Sequence, residues 1–427
     1  MLVARIGRGS SQAGRRADVA DRPIADGLIV DLFAGAGGWD EGLRQLGYRA
    51  VGIDNDQLAC QTARAAGHER IEGDIAALDP QSFGQVWGLI ASPPCQAYST
   101  AGKGLGRIDK PHVIACAHEL AAGNDTRETH RAACLDERSL LTVEPLRWAL
   151  ALRPRWVAME QVPPVLELWT LFAGLLAIHG YETAVGVLRS EQYGVPQARR
   201  RAFLIGSLDG PVRLPAPTHQ SFDPRRHNTP EHERHLPRWI SMAQALGWSN
   251  PAVVHTNNQT DSGRRPQGLT RSLDRPAHTL DTASGSWTIE PTPAKPRWQL
   301  GAGRVPEACQ QHAQESHAPA AETPPDDVPA WSHRRPATTV CGDSRILAPG
   351  YWPRNDAPRG AVRPRPVRVT VEQAAVLQGF RHDYPWHGSR TQRFMQIGNA
   401  VCPPLARHVL REAMRPSDPG PTRERRR

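Results

Sequence analysis

The chain has no apolar run approaching the length of a membrane span, and its first 26 residues lack the hydrophobic core of a secretory leader. Those 26 residues are expected to be a basic, disordered tail. The seven cysteines, Cys60, Cys95, Cys116, Cys134, Cys309, Cys341 and Cys402, include no Cys-x-x-Cys pair and are too sparse for a disulfide framework. That pattern argues against a zinc site or a stapled secreted scaffold, so no metal is expected and a reducing cytoplasm is the simplest home. Acid is also in short supply, with 43 Asp and Glu against 52 Lys and Arg, a net charge of +9. Such an excess favours an anionic partner, although arginines at both termini could equally form a solvated surface. A length of 427 residues is more than one ordinary domain needs and suggests two.

Against these absences stands Ser92-Pro93-Pro94-Cys95-Gln96-Ala97-Tyr98-Ser99, which follows the apolar run Trp87-Gly88-Leu89-Ile90-Ala91. Two prolines cannot continue a strand's hydrogen-bond ladder, so the chain must leave the sheet here with the thiol on the exit loop. A lone cysteine is more often simply buried. The neighbouring motifs shift that balance.

Leu28-Ile29-Val30-Asp31-Leu32-Phe33 reads as a buried parallel strand running into the turn Ala34-Gly35-Ala36-Gly37-Gly38, with a helix from about Trp39 to Leu46. The Gly-x-Gly-Gly spacing differs from the dinucleotide fingerprint, and Asp31 precedes the turn, so phosphate binding is not the natural inference. A second strand, Ala50-Val51-Gly52-Ile53, ends in Asp54-Asn55-Asp56, where a carboxylate can accept ribose hydroxyls. A third acid lies in Gly73-Asp74-Ile75, placed to meet an adenine edge. Three acids at successive strand ends suit a nucleoside without phosphate, which points to S-adenosylmethionine.

Asp31 to Gly38, Asp54 to Asp56, Gly73 to Ile75 and Pro93 to Ser99 resemble, in order and spacing, the motifs of DNA (cytosine-5) methyltransferases. Arg155-Trp156-Val157-Ala158-Met159-Glu160-Gln161-Val162 resembles the strand ending in Glu-Asn-Val, and Gln197-Ala198-Arg199-Arg200-Arg201 the Gln-x-Arg-x-Arg segment. Arg368 to Phe380 and Gln396-Ile397-Gly398-Asn399-Ala400-Val401 resemble the last two motifs. Thr370 and Gln373 can close a capping box, and Pro403 and Pro404 can open a helix. The resemblance covers about residues 27 to 210 and 366 to 412.

The resemblance implies a Rossmann-like α/β methyltransferase domain acting on a cytosine flipped out of double-stranded DNA. The Cys95 thiolate would add to cytosine carbon 6 while Glu160 stabilises the ring at nitrogen 3, so that carbon 5 can take the methyl group. Arg201 would contact the cytosine carbonyl oxygen, and Arg199 would support the thiol and the base pocket. S-adenosylmethionine would lie among Asp31, Phe33, Ala34, Gly35, Gly37, Asp54, Asn55, Asp74, Ile75, Pro94 and Asn399. A monomer is expected, with a cognate restriction endonuclease, where one exists, acting separately.

Two features depart from the family pattern. Gln161 stands where the family has Asn, and the longer amide can still bond the neighbouring loop. The stretch from Lys103 to Cys134 is longer than the loop expected after the nucleophile, and its Gly102, Gly104 and Gly106 suit a hinged lid over DNA.

After about Gly206 the parallel-strand patterns give way to irregular Pro, His, Arg and Trp, with six of the twelve tryptophans between Trp239 and Trp352. The expected division is a catalytic domain over 27–210 and 366–412, interrupted by a target-recognition domain over 211–365, with a basic tail over 413–427. Arg275 to Leu280 and Arg335 to Val340 look like a short repeat, each a loop followed by a strand. Ser316 to Ala330 reads as a flexible connector. Asn257, Asn258, Gln259, Arg264 and Arg265 could read base edges or touch phosphates. RNA cytosine methylation is the rival reading within the enzyme class, and a silent DNA-binding protein of the same fold is the rival outside it. The large insertion argues against the first, and the presence of Cys95, Glu160 and Asp31 against the second.

Overall fold

Strand β1 (Leu28–Leu32) buries both of its faces, with Val30 and Leu32 in one core cluster and Ile29 in another on the opposite side. That explains its nearly unbroken apolar sequence, because a strand covered on both sides has no solvent face to mark with polar residues. The strands β2 (Val51–Asp54), β3 (Glu69–Glu72), β4 (Val86–Ala91), β5 (Trp156–Gln161), β6 (Glu182–Arg189) and β7 (Arg200–Ser207) complete a sheet of order β3-β2-β1-β4-β5-β7-β6. β3, β2, β1, β4 and β5 run parallel, and β7 lies antiparallel between β5 and β6. The chain moves outward from β1 to β3, then returns to β4 on the other side, so the strand order reverses between β1 and β4. Ligands of open α/β sheets bind beyond the carboxyl ends of the strands at such a reversal.

This computed structural model describes residues 27–98, 105–223, 226, 228–247, 255–256, 287–288, 336–337, 345–346 and 367–416. The expected tail over 1–26, the motif Arg275 to Leu280, the base-reading candidates at 257–265 and the connector 316–330 lie outside the described residues. Of the second repeat copy, Ala337 forms an isolated bridge with Gln197.

Helix α1 (Gly38–Arg44) starts directly from the Gly-rich turn, and α2 (Gln57–Ala65) is capped by Asp56, whose carboxylate accepts the N–H groups of Leu58 and Ala59. On the Val30 side the sheet is covered by α3 (Gly106–Ala121), α5 (Glu144–Leu152) and α6 (Leu166–Ile178), which contribute Val113, Leu146, Trp148, Trp169 and Phe172. Between α3 and α5 lies the short α4 (Arg127–Ala133).

The expected glycine-hinged loop from Lys103 to Cys134 is therefore corrected in its described part, which is two helices. Asp109 fixes this region, its buried carboxylate accepting the N–H groups of Leu135 and Asp136 and the hydroxyl of Ser139. Arg127 on α4 donates to Ala76 O at 3.1 Å and to Glu144 at 2.8 Å, so α4 braces the loop after β3.

Beyond the short α7 (Met242–Ala245), the chain ends in α8 (Val371–Gln378), α9 (Arg390–Asn399) and α10 (Pro403–Met414). α8 has the expected Thr370 and Gln373 capping box, and α10 opens on Pro403 and Pro404. α10 packs on α1, joining Trp39 and Leu43 to Leu405, Val409 and Leu410. The approach requires glycine: a Cβ at Gly38 would sit 2.3 Å from Val401 O.

Candidate active site

The turn after β1 holds an unusual backbone: Phe33 has φ 58, Gly35 φ 54 and Gly37 φ 108. Glycine takes this left-handed conformation freely, whereas Phe33 pays a steric cost, a kind of strain that concentrates at ligand-binding turns. Space beyond Gly35 is open, since nothing lies within 4 Å of a Cβ built there. Asp54, at the end of β2, accepts Gly35 N–H at 2.8 Å through one oxygen and Asp56 N–H at 2.8 Å through the other. Burial raises its pKa, and these N–H bonds oppose the rise. Asn55 is exposed beside it. Asp74 is exposed past β3 and accepts Ala76 N–H at 3.0 Å, while the adjacent Ile75 is buried.

Asp31 stands in its strand ahead of the turn, as the sequence placed it. It lies inside β1, fully buried, and neither carboxylate oxygen has a hydrogen-bond partner. Burial and the nearby Asp40 push its pKa well above the usual carboxylate range. Asn399 is exposed at the end of α9, and Ala34 is buried in the turn.

The donor set fits S-adenosylmethionine. The Asp54 and Asp74 carboxylates suit ribose hydroxyls and an amino group, and the open backbone cradle at Gly35 suits a close approach. The cation nearest the turn, Arg70 on β3, spends its guanidinium on Asp40 and on the carbonyls of Ala34, Gly35 and Glu69, so it is committed away from a phosphate.

The second half of the site lies across the reversal. Ala91 pairs with Met159, so the exits of β4 and β5 are adjacent, and they carry Cys95 and Glu160. Antiparallel pairing sets Glu160 opposite Phe203, which brings the start of β7 to the same edge. Arg201 Nε lies 3.0 Å from Glu160 Oε1. Cys95 and Pro94 are half-buried. Burial raises the thiol pKa, Arg201 and Arg199 lower it, and Glu160 raises it, so all three charges act on one sulfur.

Arg199 is 2 % exposed and donates Nη2 to Gly398 O at 2.9 Å and Ala400 O at 3.3 Å, while its Nε and Nη1 have no partner. Burial lowers its pKa to about 10. Arg199, just ahead of β7, thus ties that strand's entry to the C-terminal end of α9 and the residue after it.

The loop that carries Cys95 is held at two points. Trp39 Nε1 on α1 donates to Ser92 Oγ at 2.8 Å. Gln161 Nε2 donates to Pro93 O, and its Oε1 accepts Val162 N–H at 2.6 Å. Gln161 therefore makes the bond expected of it despite its extra methylene. Sequence reading missed Trp39 and Ser92, and it missed Arg70, which sits in Glu69-Arg70-Ile71-Glu72 with nothing in its spacing to distinguish it from a surface strand.

A mostly parallel sheet with a glycine turn after β1, acids at or just past the ends of β2 and β3, and a Pro-Cys loop and glutamate at the ends of β4 and β5, defines an α/β methyltransferase that uses S-adenosylmethionine. A family model for C-5 cytosine-specific DNA methylases matches residues 28–415. The chain belongs to that family and is a DNA cytosine-5 methyltransferase.

The chain is 24% identical over 404 residues to the type II methyltransferase M1.HphI of Haemophilus parahaemolyticus, across 90% of this chain and 86% of that protein. It is 25% identical over 464 residues to M.AgeI of Thalassovita gelatinovora, across 90% of this chain and 98% of that one. The crystal structure of the S. pombe Dnmt2 methyltransferase aligns over 92% of this chain and 99% of its own at 13% identity and TM-score 0.48. Among the described residues no helix is long and apolar enough to cross a membrane, and no His, Cys, Asp and Glu cluster could hold a metal.

Proposed function

We propose that this enzyme methylates carbon 5 of a cytosine flipped out of duplex DNA, through a covalent bond between Cys95 and the base. The observation that carries this reading is the meeting of Cys95 and Glu160 at the exits of neighbouring parallel strands, with Arg201 paired to Glu160 and both arginines acting on the thiol.

Cys95 gives up its proton to water, and its thiolate bonds to cytosine carbon 6, moving ring electrons to carbon 5 and toward nitrogen 3. Glu160 holds the proton at nitrogen 3, and Arg201, already oriented by Glu160, lies ready for the carbonyl oxygen of the same base. When bound, S-adenosylmethionine supplies an electrophilic methyl group on a sulfonium sulfur, and this activated donor calls for no metal. Once carbon 5 carries the methyl group, its proton leaves to water, the carbon–sulfur bond breaks, and the Cys95 thiolate is restored. Gln161 and the Trp39–Ser92 bond keep the thiol's loop in place through these steps.

For the donor, Phe33, Ala34, Gly35, Gly37, Asp54, Asn55, Asp74 and Ile75 form the binding edge, with Pro94 and Asn399 flanking it. Asp31 acts from beneath, as the floor of the turn. Residues 211–365 form the target-recognition domain, inserted between residues 27–210 and 366–412 of the catalytic domain. The type II names of the relatives support a place in restriction and modification; a monomer in the cytoplasm, with any cognate endonuclease acting separately, completes the reading.

The test is a duplex carrying 5-fluorocytosine, whose carbon 5 has no proton to lose. With donor present, wild-type protein is expected to remain covalently attached through denaturing electrophoresis, and Cys95→Ala to release all of the DNA. Equal adducts with both proteins would remove Cys95 from the mechanism.

A further inference from the structure

Three consecutive carbonyls of the turn after β1 are taken by side chains from distant parts of the chain. Arg70 donates Nε to Gly35 O at 3.2 Å and Nη2 to Ala34 O at 3.5 Å. Tyr384, between α8 and α9, donates its hydroxyl to Ala36 O at 2.5 Å.

Neither side chain is there by chance of packing. Arg70 has no exposed side-chain surface, and Asp40 anchors it through contacts of 2.5 and 3.2 Å. Its guanidinium crosses β2 at Gly52, where a Cβ would sit 2.4 Å from Nη1, so the chain keeps that residue small to make room. Tyr384 presses against the turn where a Cβ at Gly37 would lie 2.6 Å from its oxygen. The Tyr384 ring packs on Phe380 and Trp386, which fixes its direction.

A peptide plane is rigid, and its C=O and N–H point opposite ways. Holding the carbonyls of residues 34 to 36 therefore sets the directions of the N–H groups of residues 35 to 37. One of these, Gly35 N–H, grips the Asp54 carboxylate at 2.8 Å. The glycines give the turn little stiffness of their own, and the other restraints on it are two backbone bonds, Gly37 N–H to Ala34 O at 3.3 Å and Ala34 N–H to Ile53 O at 3.1 Å.

We propose that Arg70 and Tyr384 are positioning residues for the methyl donor, which fix the peptide planes of residues 34 to 37 and, through Gly35, the Asp54 carboxylate. This rests on the reading of that turn as the donor site. Tyr384 belongs to the C-terminal piece of the chain, so the donor turn is completed only when that piece docks. Its core cluster also contains Met242 and Ala337, which ties the turn to residues within the 211–365 insertion.

The experiment is calorimetric titration of the full chain with S-adenosylhomocysteine, together with steady-state kinetics, for wild type, Tyr384→Phe, Arg70→Gln and Asp54→Ala. Tyr384→Phe keeps the aromatic packing and loses only the hydroxyl. It is expected to bind about fivefold more weakly, and Arg70→Gln more than about tenfold. In both, KM for the donor should rise more than kcat falls, with KM for DNA unchanged. Arg70→Gln leaves Asp40 unpaired in the interior, so Tyr384→Phe decides the matter alone where the Arg70 variant does not fold.

Wild-type affinity in Tyr384→Phe beside lost binding in Asp54→Ala would overturn the proposal and leave the donor site standing. An equal loss in kcat and in both KM values would show a merely structural role and overturn it too. Wild-type affinity in Asp54→Ala would overturn the donor site itself, and the proposal with it.

Discussion

At the scale of the residue, Gln161 tests how the thiol's loop is held. Its amide is bonded to Pro93 O and to Val162 N–H, so Gln161→Ala frees a loop that the reaction needs within a fraction of an ångström. Single-turnover methylation is expected to slow by about a hundredfold with product unchanged. Gln161→Asn keeps an amide and should retain the product with a smaller change in rate; a different product from either variant would refute this role. Thiol chemistry gives a second prediction. Because burial raises the Cys95 pKa and Arg201 lowers it, alkylation of Cys95 by iodoacetamide should speed up as pH rises, and Arg201→Ala should move that rise to higher pH. An unmoved profile would separate the guanidinium from the thiol. Cys95, Glu160 and the arginines could be singled out in the sequence because each sits in a short motif with a chemical reason for its residue types. Arg70 and Trp39 were not, because their meaning lies in contacts across the sheet, with Ala34 and with Ser92.

At the scale of the element, the ends of the helices carried readable signals and their interiors less so. Thr370 and Gln373 form their box as their spacing required, and Thr370→Ala should cost about 1 kcal/mol in denaturant unfolding. The Lys103 to Cys134 stretch misled for a physical reason. Its glycines read as a hinged loop, while the carboxylate that fixes the helices, Asp109, bonds residues Leu135, Asp136 and Ser139 far along the chain. α1 shows the opposite case. Its second glycine-rich position, Gly38, exists for the close passage of Val401, and Gly38→Ala, with its Cβ 2.3 Å from that carbonyl, should destabilise the fold by roughly 1–3 kcal/mol. A Gly38→Ala protein as stable as wild type would show that α10 can shift away.

At the scale of the whole molecule, the Rossmann-like α/β domain that the resemblance implied is there as a seven-stranded sheet. The place of β7 between β5 and β6 was not legible, since its pairing with β5 spans α6 and the whole of β6 and leaves no local trace. Stability should depend on pH through Glu191, which burial lifts from 4.5 to about 7 despite Arg189 beside it. Between those values the folded chain holds a proton that the unfolded chain has lost, so this residue's contribution falls as pH rises through the window and is lowest above 7. Glu191→Gln should therefore stabilise the protein at pH 8, by up to roughly 3 kcal/mol, and flatten the slope between pH 5 and 7; a parallel slope in urea titrations would contradict this. The central claim is methyl transfer to cytosine by Cys95, and the most direct measurement is bisulfite sequencing of plasmid DNA from a methylation-free host expressing the wild-type chain or Cys95→Ala. The account predicts protected cytosines in one sequence context with the wild type and none with the variant. Equal protection by Cys95→Ala would contradict it.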